Sequence, residues 1–163
     1  MNIFALDLDP VICAEYHVDK HVVKMISEYA QLLCTTANVL GYETPMKPTH
    51  WNHPSRLWVG QSRYNALWLQ DLLHALHHEW RYRYNHPETK FHKSFLKWHQ
   101  FSEQNPLWID SLPDIPFTSV TLCMPEKYRG DNFVDSYRFF YRHEKAHIHF
   151  WKNRRAPYWL DTF

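Results

Sequence analysis

The chain has 163 residues, 45% hydrophobic and 21% charged, with 8 Trp, 10 Tyr, 10 Phe and 13 His but only 3 Gly. That length suits one domain, and the composition excludes disordered, collagen-like and coiled-coil chains. A formal charge of +1 excludes strong non-specific nucleic-acid binding through net charge and leaves any basic surface to be local.

Cys13, Cys34 and Cys123 form no CxxC pair, which argues against a disulfide framework or a thiolate zinc site and for a reducing compartment. The start MNIFALDLDP lacks a basic region leading into a long apolar run, and no window approaches ~18 apolar residues. A soluble, cytoplasmic protein with no membrane partner is expected.

In chain order, Met1 to Leu8 reads as a short strand or an extended buried arm. Asp9-Pro10 has the form of an N-cap with proline at the first helical position, and Asp19 offers a second start. One helix is expected to run to about Leu40, its core stripe being Val18, Val22, Met25, Ile26, Tyr29, Leu32 and Leu33. His17, His21, Lys24 and Glu28 follow one another along its other face. Gly41 stops it, and the proline-rich stretch from Pro45 to Pro54 is a loop holding His50 and His53.

Pro54 to Tyr84 is helical again, broken near Gly60 with Ser62 as a second cap, and buries Leu69, Leu72, Leu73, Leu76 and Trp80. A shorter helix is expected from about Lys90 to Phe101. Residues 105–130 carry four prolines and form a long connection, in which Ile115 to Leu122 is a candidate strand. Asp131 or Asp135 caps a last helix reaching about Lys152. The fold class expected is mainly α: a compact single domain over residues 1–163, with three to four helices and long irregular loops.

Three histidine pairs have i, i+4 spacing: His17/His21, His74/His78 and His143/His147. Such pairs bind metals from one helical face, although none here sits in an HExxH sequence. A metal site, if built, takes His17, His21 and His53 with Asp19 or Glu28. The line His17, His21, Lys24, Glu28 mixes imidazole, cation and carboxylate as acid/base chemistry or phosphate contact requires, while a plain solvated face reads the same way. The last helix carries a basic stripe of Arg138, Arg142, Lys145, His149 and Lys152 interleaved with Tyr137, Phe140, Tyr141, Phe150 and Trp151. Cations there neutralise phosphates and aromatics stack on bases, so DNA or a nucleotide is the natural partner.

With three glycines there is no P-loop, GxGxxG or GxSxG. The cysteines sit in apolar settings that favour inert thiols. The remaining nucleophile is the terminal amine, whose ordinary pKa near ~7.7 leaves a reactive neutral fraction. No cofactor is implied.

Several pieces together resemble the small helical pyrimidine-dimer DNA glycosylases of the phage endonuclease V type. They are Met1 to Leu8, Asp19-Lys20-His21-Val22-Val23-Lys24, Asn52-His53-Pro54 leading to Trp68-Leu69 through Glu79, Met124 to Asp131, and Arg155-Ala156-Pro157-Tyr158-Trp159. The resemblance implies attack of the N-terminal amine on sugar C1′ of a damaged pyrimidine nucleotide, an imine, and backbone cleavage by elimination, with a base flipped out of the duplex. It places the amine on Met1, because Asn2 normally prevents removal of the initiator methionine. Lys20 and Lys24 become the basic partners and His53 the loop imidazole. The family's catalytic glutamate position holds His21 here, and the nearest carboxylates are Glu15 and Glu28, of which Glu28 shares the polar line. Two other classes remain open: a non-catalytic nucleotide or nucleic-acid binding protein, and a metal-dependent phosphoesterase or nucleoside-processing enzyme using the histidine cluster.

Overall fold

The computed structural model describes residues 1–161. Six α-helices follow in order, α1 (Pro10–Tyr16), α2 (Asp19–Val39), α3 (Pro54–Gln61), α4 (Arg63–Arg83), α5 (Lys93–Gln104) and α6 (Phe133–Glu144), joined by 3₁₀ turns. There is no strand among the described residues. The mainly α, single-unit expectation holds, with six helices instead of three to four.

Two of the extra helices come from breaks. The second start offered at Asp19 is the one α2 takes, and the chain divides there because His17 and Val18 are both extended. The polar groups freed there are all satisfied. The fully buried Arg83 donates from Nη2 to the carbonyl of Glu15 (2.9 Å) and from Nη1 to that of His17 (2.7 Å). The Tyr141 hydroxyl accepts the Val18 amide at 2.8 Å. Unpaired helix ends buried in a core cost a few kcal/mol per group, so these partners allow the break. The second break lies at Ser62, extended between α3 and α4, whose Oγ caps α4 by accepting the Tyr64 amide and donates to the Ile115 carbonyl. At its far end α2 stops where Gly41 takes φ +95°, with Tyr42 N–H reaching the Ala37 carbonyl and Gly41 N–H that of Asn38.

Other boundaries differ for similar local reasons. α5 starts at Lys93 because the His92 ring caps it, Nδ1 accepting the Ser94 amide. Asn132, rather than Asp131 or Asp135, caps α6. That helix ends at Glu144, not Lys152; His149 Nε2 bonds back to the Tyr141 carbonyl, and Phe150 then turns its carbonyl to the Asp19 amide at the start of α2. Residues Ile115 to Leu122 are not a strand. Their polar groups pair with side chains, chiefly the buried Asn65, which accepts the Thr118 amide and donates to Thr118 Oγ1 and the Trp58 carbonyl.

The core forms where α2 packs on α3, α4 and α5, and α1 on α4. Residues Met1 to Leu8 are the extended arm. Ile3 to Leu6 are buried, with the Phe4 amide bonded to the Tyr29 hydroxyl of α2 and the Phe4 ring against Tyr137, Phe140 and Tyr141 of α6. The arm thereby links α2 to α6. No helix among the described residues is long and apolar enough to cross a membrane.

Replacing Arg83 by Met removes the 2.8 Å bond from its Nε to Glu79, leaves that buried carboxylate to Arg154 alone, and strands two helix-end carbonyls. Breaking a buried pair from one side costs about 3–5 kcal/mol, so the urea midpoint of Arg83→Met falls accordingly. A loss below about 1 kcal/mol contradicts the role assigned to this guanidinium.

Candidate functional site

The N-terminal half of α2 and the arm beside it gather most of the residues singled out in the sequence. A chain terminus ordinarily frays, but Asn2 is clamped at both ends of its side chain. Its Nδ2 donates to the Cys123 carbonyl (2.8 Å), and its Oδ1 lies 2.9 Å from the Tyr137 hydroxyl, whose single proton it shares with the Thr121 carbonyl. Burial lowers the pKa of His53, the charge of the Met1 amine and then His50 act in the same direction, and Glu28 acts in the opposite one. Glu28 is half-buried and pairs with the exposed Lys24 at 3.4 Å. Lys24 and Glu28 thus pair on α2, and the Met1 amine and Glu28 both act on the charge of His53.

His53 caps α3, its Nδ1 accepting the Ser55 amide at 3.1 Å. That bond fixes the tautomer: the neutral ring carries its proton on Nε2 and acts outward as a donor. His21 is built the same way. Tyr141, having accepted the Val18 amide, has one proton left and gives it to His21 Nδ1 at 3.0 Å, so neutral His21 also bears Nε2–H. Burial drives the His21 pKa down to about 3, helped by His17, Lys145, Lys24 and His147. The ring stacks on Phe4, with centroids 4.5 Å apart, and Lys145 Nζ stands 5.7 Å from the centre of Phe4. A histidine held neutral in this way is a poor general acid but a directed hydrogen-bond donor.

Lys20 is exposed on the first turn of α2, and Lys152 meets the same helix end, its amide bonding Asp19 Oδ1 at 2.9 Å while its ammonium lies over Tyr84. Lys20, Lys24, Lys145 and Lys152 therefore surround one half of α2, although Lys145 and Lys152 lie past the end of α6 and not on a helical stripe.

Three expected site residues have other roles. Arg138 is not an available phosphate ligand: its Nε bonds the Leu6 carbonyl at 2.7 Å, its Nη2 pairs with Asp7 at 2.8 Å, and Tyr16, Tyr158 and Trp159 surround the guanidinium. It fastens the arm to α6. Arg142 is half-buried on α6 and is not a free cation. His17 is completely buried and uses both ring nitrogens, Nδ1 toward the Cys13 carbonyl (2.7 Å) and Nε2 toward the Tyr29 hydroxyl (3.0 Å). Burial lowers its pKa to about 4. With His17 committed and Nδ1 of both His21 and His53 occupied, the metal set His17, His21, His53 is not assembled. Among the described residues no group of three His, Cys, Asp or Glu side chains is disposed to hold a metal ion.

The structure adds residues that the sequence did not single out for this site. His50 faces the His53 ring edge-on from a left-handed backbone, φ +54°, and Phe4, Tyr141 and His147 surround His21. Nothing in the periodicity of the chain links Phe4 or Tyr141 to His21, since the contacts span 17 and 120 positions. No family model, curated protein or solved structure matches the chain.

The depressed histidines fix the sign of the acid response. Between the folded values, about 4 for His17 and about 3 for His21, and the ordinary ~6.5 the unfolded chain binds more protons. Stability therefore rises with pH through this window, is complete above ~6.5, and is lost as pH falls. Each residue contributes a slope of up to about 1.4 kcal/mol per pH unit. His21→Gln removes one such contribution from the pH dependence of the urea midpoint between pH 6 and 4.5. An unaltered slope would mean that folded His21 takes up a proton in that range.

Proposed function

We propose that this chain is a DNA-repair-type N-glycosylase/AP lyase that acts on damaged pyrimidine nucleotides through an imine on the Met1 amine. The observation that carries the reading is the anchoring of Asn2, which holds the adjoining amine where its charge reaches His53, a ring that Glu28 also influences. A nucleophile fixed next to a carboxylate and two imidazole donors has the parts needed for sugar chemistry.

In the proposed sequence the amine attacks C1′ of an extruded nucleotide, and the damaged base leaves with its bonding electron pair and takes up a proton. Loss of the amine proton opens the sugar to an imine. On an abasic aldehyde the same imine forms with release of water. Abstraction of a C2′ proton then expels the 3′ phosphate, and water returns the amine. Glu28 is the proton acceptor in this scheme, because His21 and His53 both have Nδ1 occupied and face outward as Nε2–H donors. Lys20, Lys24, Lys145 and Lys152 meet the phosphates.

Borohydride is expected to trap a covalent adduct on abasic or dimer-containing DNA, and acetylation of the amino terminus abolishes it. Glu28→Gln keeps the trapped adduct but slows strand cleavage about 100-fold or more, the usual magnitude for a lost general base. Wild-type protein that gives no adduct on either substrate overturns the reading; salt-sensitive DNA binding in that case identifies a binding protein on the same scaffold.

A further inference from the structure

The lysines around α2 are bracketed by two bare aromatic rings. Trp51, 45% exposed, lies in the loop next to His53 at the amine end. Phe150, 65% exposed, lies at the other end, its carbonyl bonded to the Asp19 amide. Other exposed rings are covered by guanidinium groups: Phe91 by Arg81, Tyr82 by Arg154 and Tyr158 by Arg138. Among the described residues neither Trp51 nor Phe150 stacks on a ring or lies under a cation. Tyr64 is also bare, but it carries a phenol that water solvates. An indole and a phenyl group left uncovered beside ammonium groups have no comparable compensation.

The Trp51 backbone is held in place. Arg56, itself largely buried, donates from Nε to the Trp51 carbonyl at 2.7 Å, and His50 before it takes a left-handed conformation closed by the His53 amide on the His50 carbonyl. A left-handed non-glycine residue costs about a kcal/mol and persists where its surroundings impose it. Phe150 is held by the bond to Asp19, which Lys152 reinforces through its own amide. Both rings are thus presented from ordered backbone, Phe150 at the start of α2 beside the lysines and Trp51 in the loop whose Thr49 amide meets Thr35 on the farther half of that helix.

The strip itself fixes the scale. Asp19, which holds Phe150, and Thr35, which accepts the Thr49 amide two positions before Trp51, are sixteen residues apart, or about 24 Å along the helix, room for about four to seven nucleotides of a strand. Ammonium groups attract the phosphates of any nucleic acid, but flat rings bind only bases whose faces are free. We infer that Trp51 and Phe150 are base-stacking platforms flanking the reacting nucleotide, so that the ligand is a DNA strand with unstacked bases, single-stranded or locally opened, rather than intact duplex. The inference deepens the proposed lyase reading and rests on it for the identity of the nucleotide between the rings.

The test separates binding from chemistry. A labelled nine-nucleotide DNA with one central tetrahydrofuran residue, an abasic analogue that forms no imine, is titrated by fluorescence anisotropy as a single strand and against an undamaged duplex of equal length. The wild type binds the single strand about tenfold or more tightly than the duplex. Trp51→Ala and Phe150→Ala each weaken single-strand binding by about 5- to 150-fold, the range for loss of one stacked base. Trp51→Phe and Phe150→Trp retain most of it, and thermal unfolding of all four variants is unchanged because the rings are exposed. Preference for intact duplex, or an alanine variant that binds as well as wild type, overturns the inference. Borohydride trapping on a natural abasic strand is run in parallel. Trapping with ring-independent binding defeats the platforms alone, and ring-dependent binding without trapping defeats the lyase reading alone.

Discussion

The guanidinium of Arg83 joins parts of the chain that otherwise have no reason to meet. It pairs with Glu79 one turn back on α4, with Asp19 at the start of α2, and with two carbonyls at the end of α1. Glu79 in turn holds Arg154 from the C-terminal segment, and Asp19 receives the Lys152 amide. Arg83 and Arg154 face Glu79, Asp19 and, 3.6 Å from Arg154, Glu15, so each of these charges has opposite partners, which is the condition for burying such a group at all. Removing one member leaves the others charged in a dry environment, and this asymmetry makes the cluster a structural requirement even though its net contribution relative to an apolar core is small.

The local geometry of the site follows from that cluster. Arg83 accommodates the break between α1 and α2, and the break turns His17 inward and leaves the Val18 amide for Tyr141. Two tyrosines then act as relays of the same kind. Tyr29 accepts the Phe4 amide and faces His17; Tyr141 accepts the Val18 amide and faces His21. Each fixes one backbone amide and one imidazole, so the arm, the first turn of α2 and the His21 ring are set relative to each other by hydroxyls with no spare valence. Arg138 and the Asn2 clamp complete the attachment. An uninterrupted α1–α2 helix would have no extended His17-Val18 pair from which to build either relay.

Features encoded by local chemistry were legible in the sequence. The Asp9-Pro10 start, the Ser62 cap, the Gly41 stop and the core stripe of α2 all appear where cap and periodicity rules put them. The i, i+4 pairing of Lys24 with Glu28 follows from their spacing as well. Features depending on distant partners were not. Asp19 marked the second start, but the extended His17-Val18 pair before it carries no glycine or proline, because the groups that tolerate it lie on α4 and α6. The end of α6 is likewise set by His149 and by Asp19 across the fold. Arg138 looked like part of a basic stripe because its periodicity is right, whereas its fate is decided by Leu6 and Asp7 more than 130 positions away.

The basic face of a chain with net charge +1 has a similar explanation. Arg83, Arg154 and Arg138 are used in ion pairs within the fold, so much of the acidic complement is consumed internally together with arginine. What remains near the site is lysine, with neutral imidazole beside it. The division is chemically sensible: a planar fork suits fixed, bidentate partners, and a flexible ammonium suits a phosphate whose position varies. Ammonium groups do not read bases, so on the proposed reading they position a strand without selecting it. Selection at the sugar then falls to the directed Nε2–H donors of His21 and His53, and selection at the base to whatever ring surface the face presents. On that reading the histidine richness of the chain divides between packing at His17 and substrate discrimination at His21 and His53, a division that nearest-neighbour sequence alone does not make.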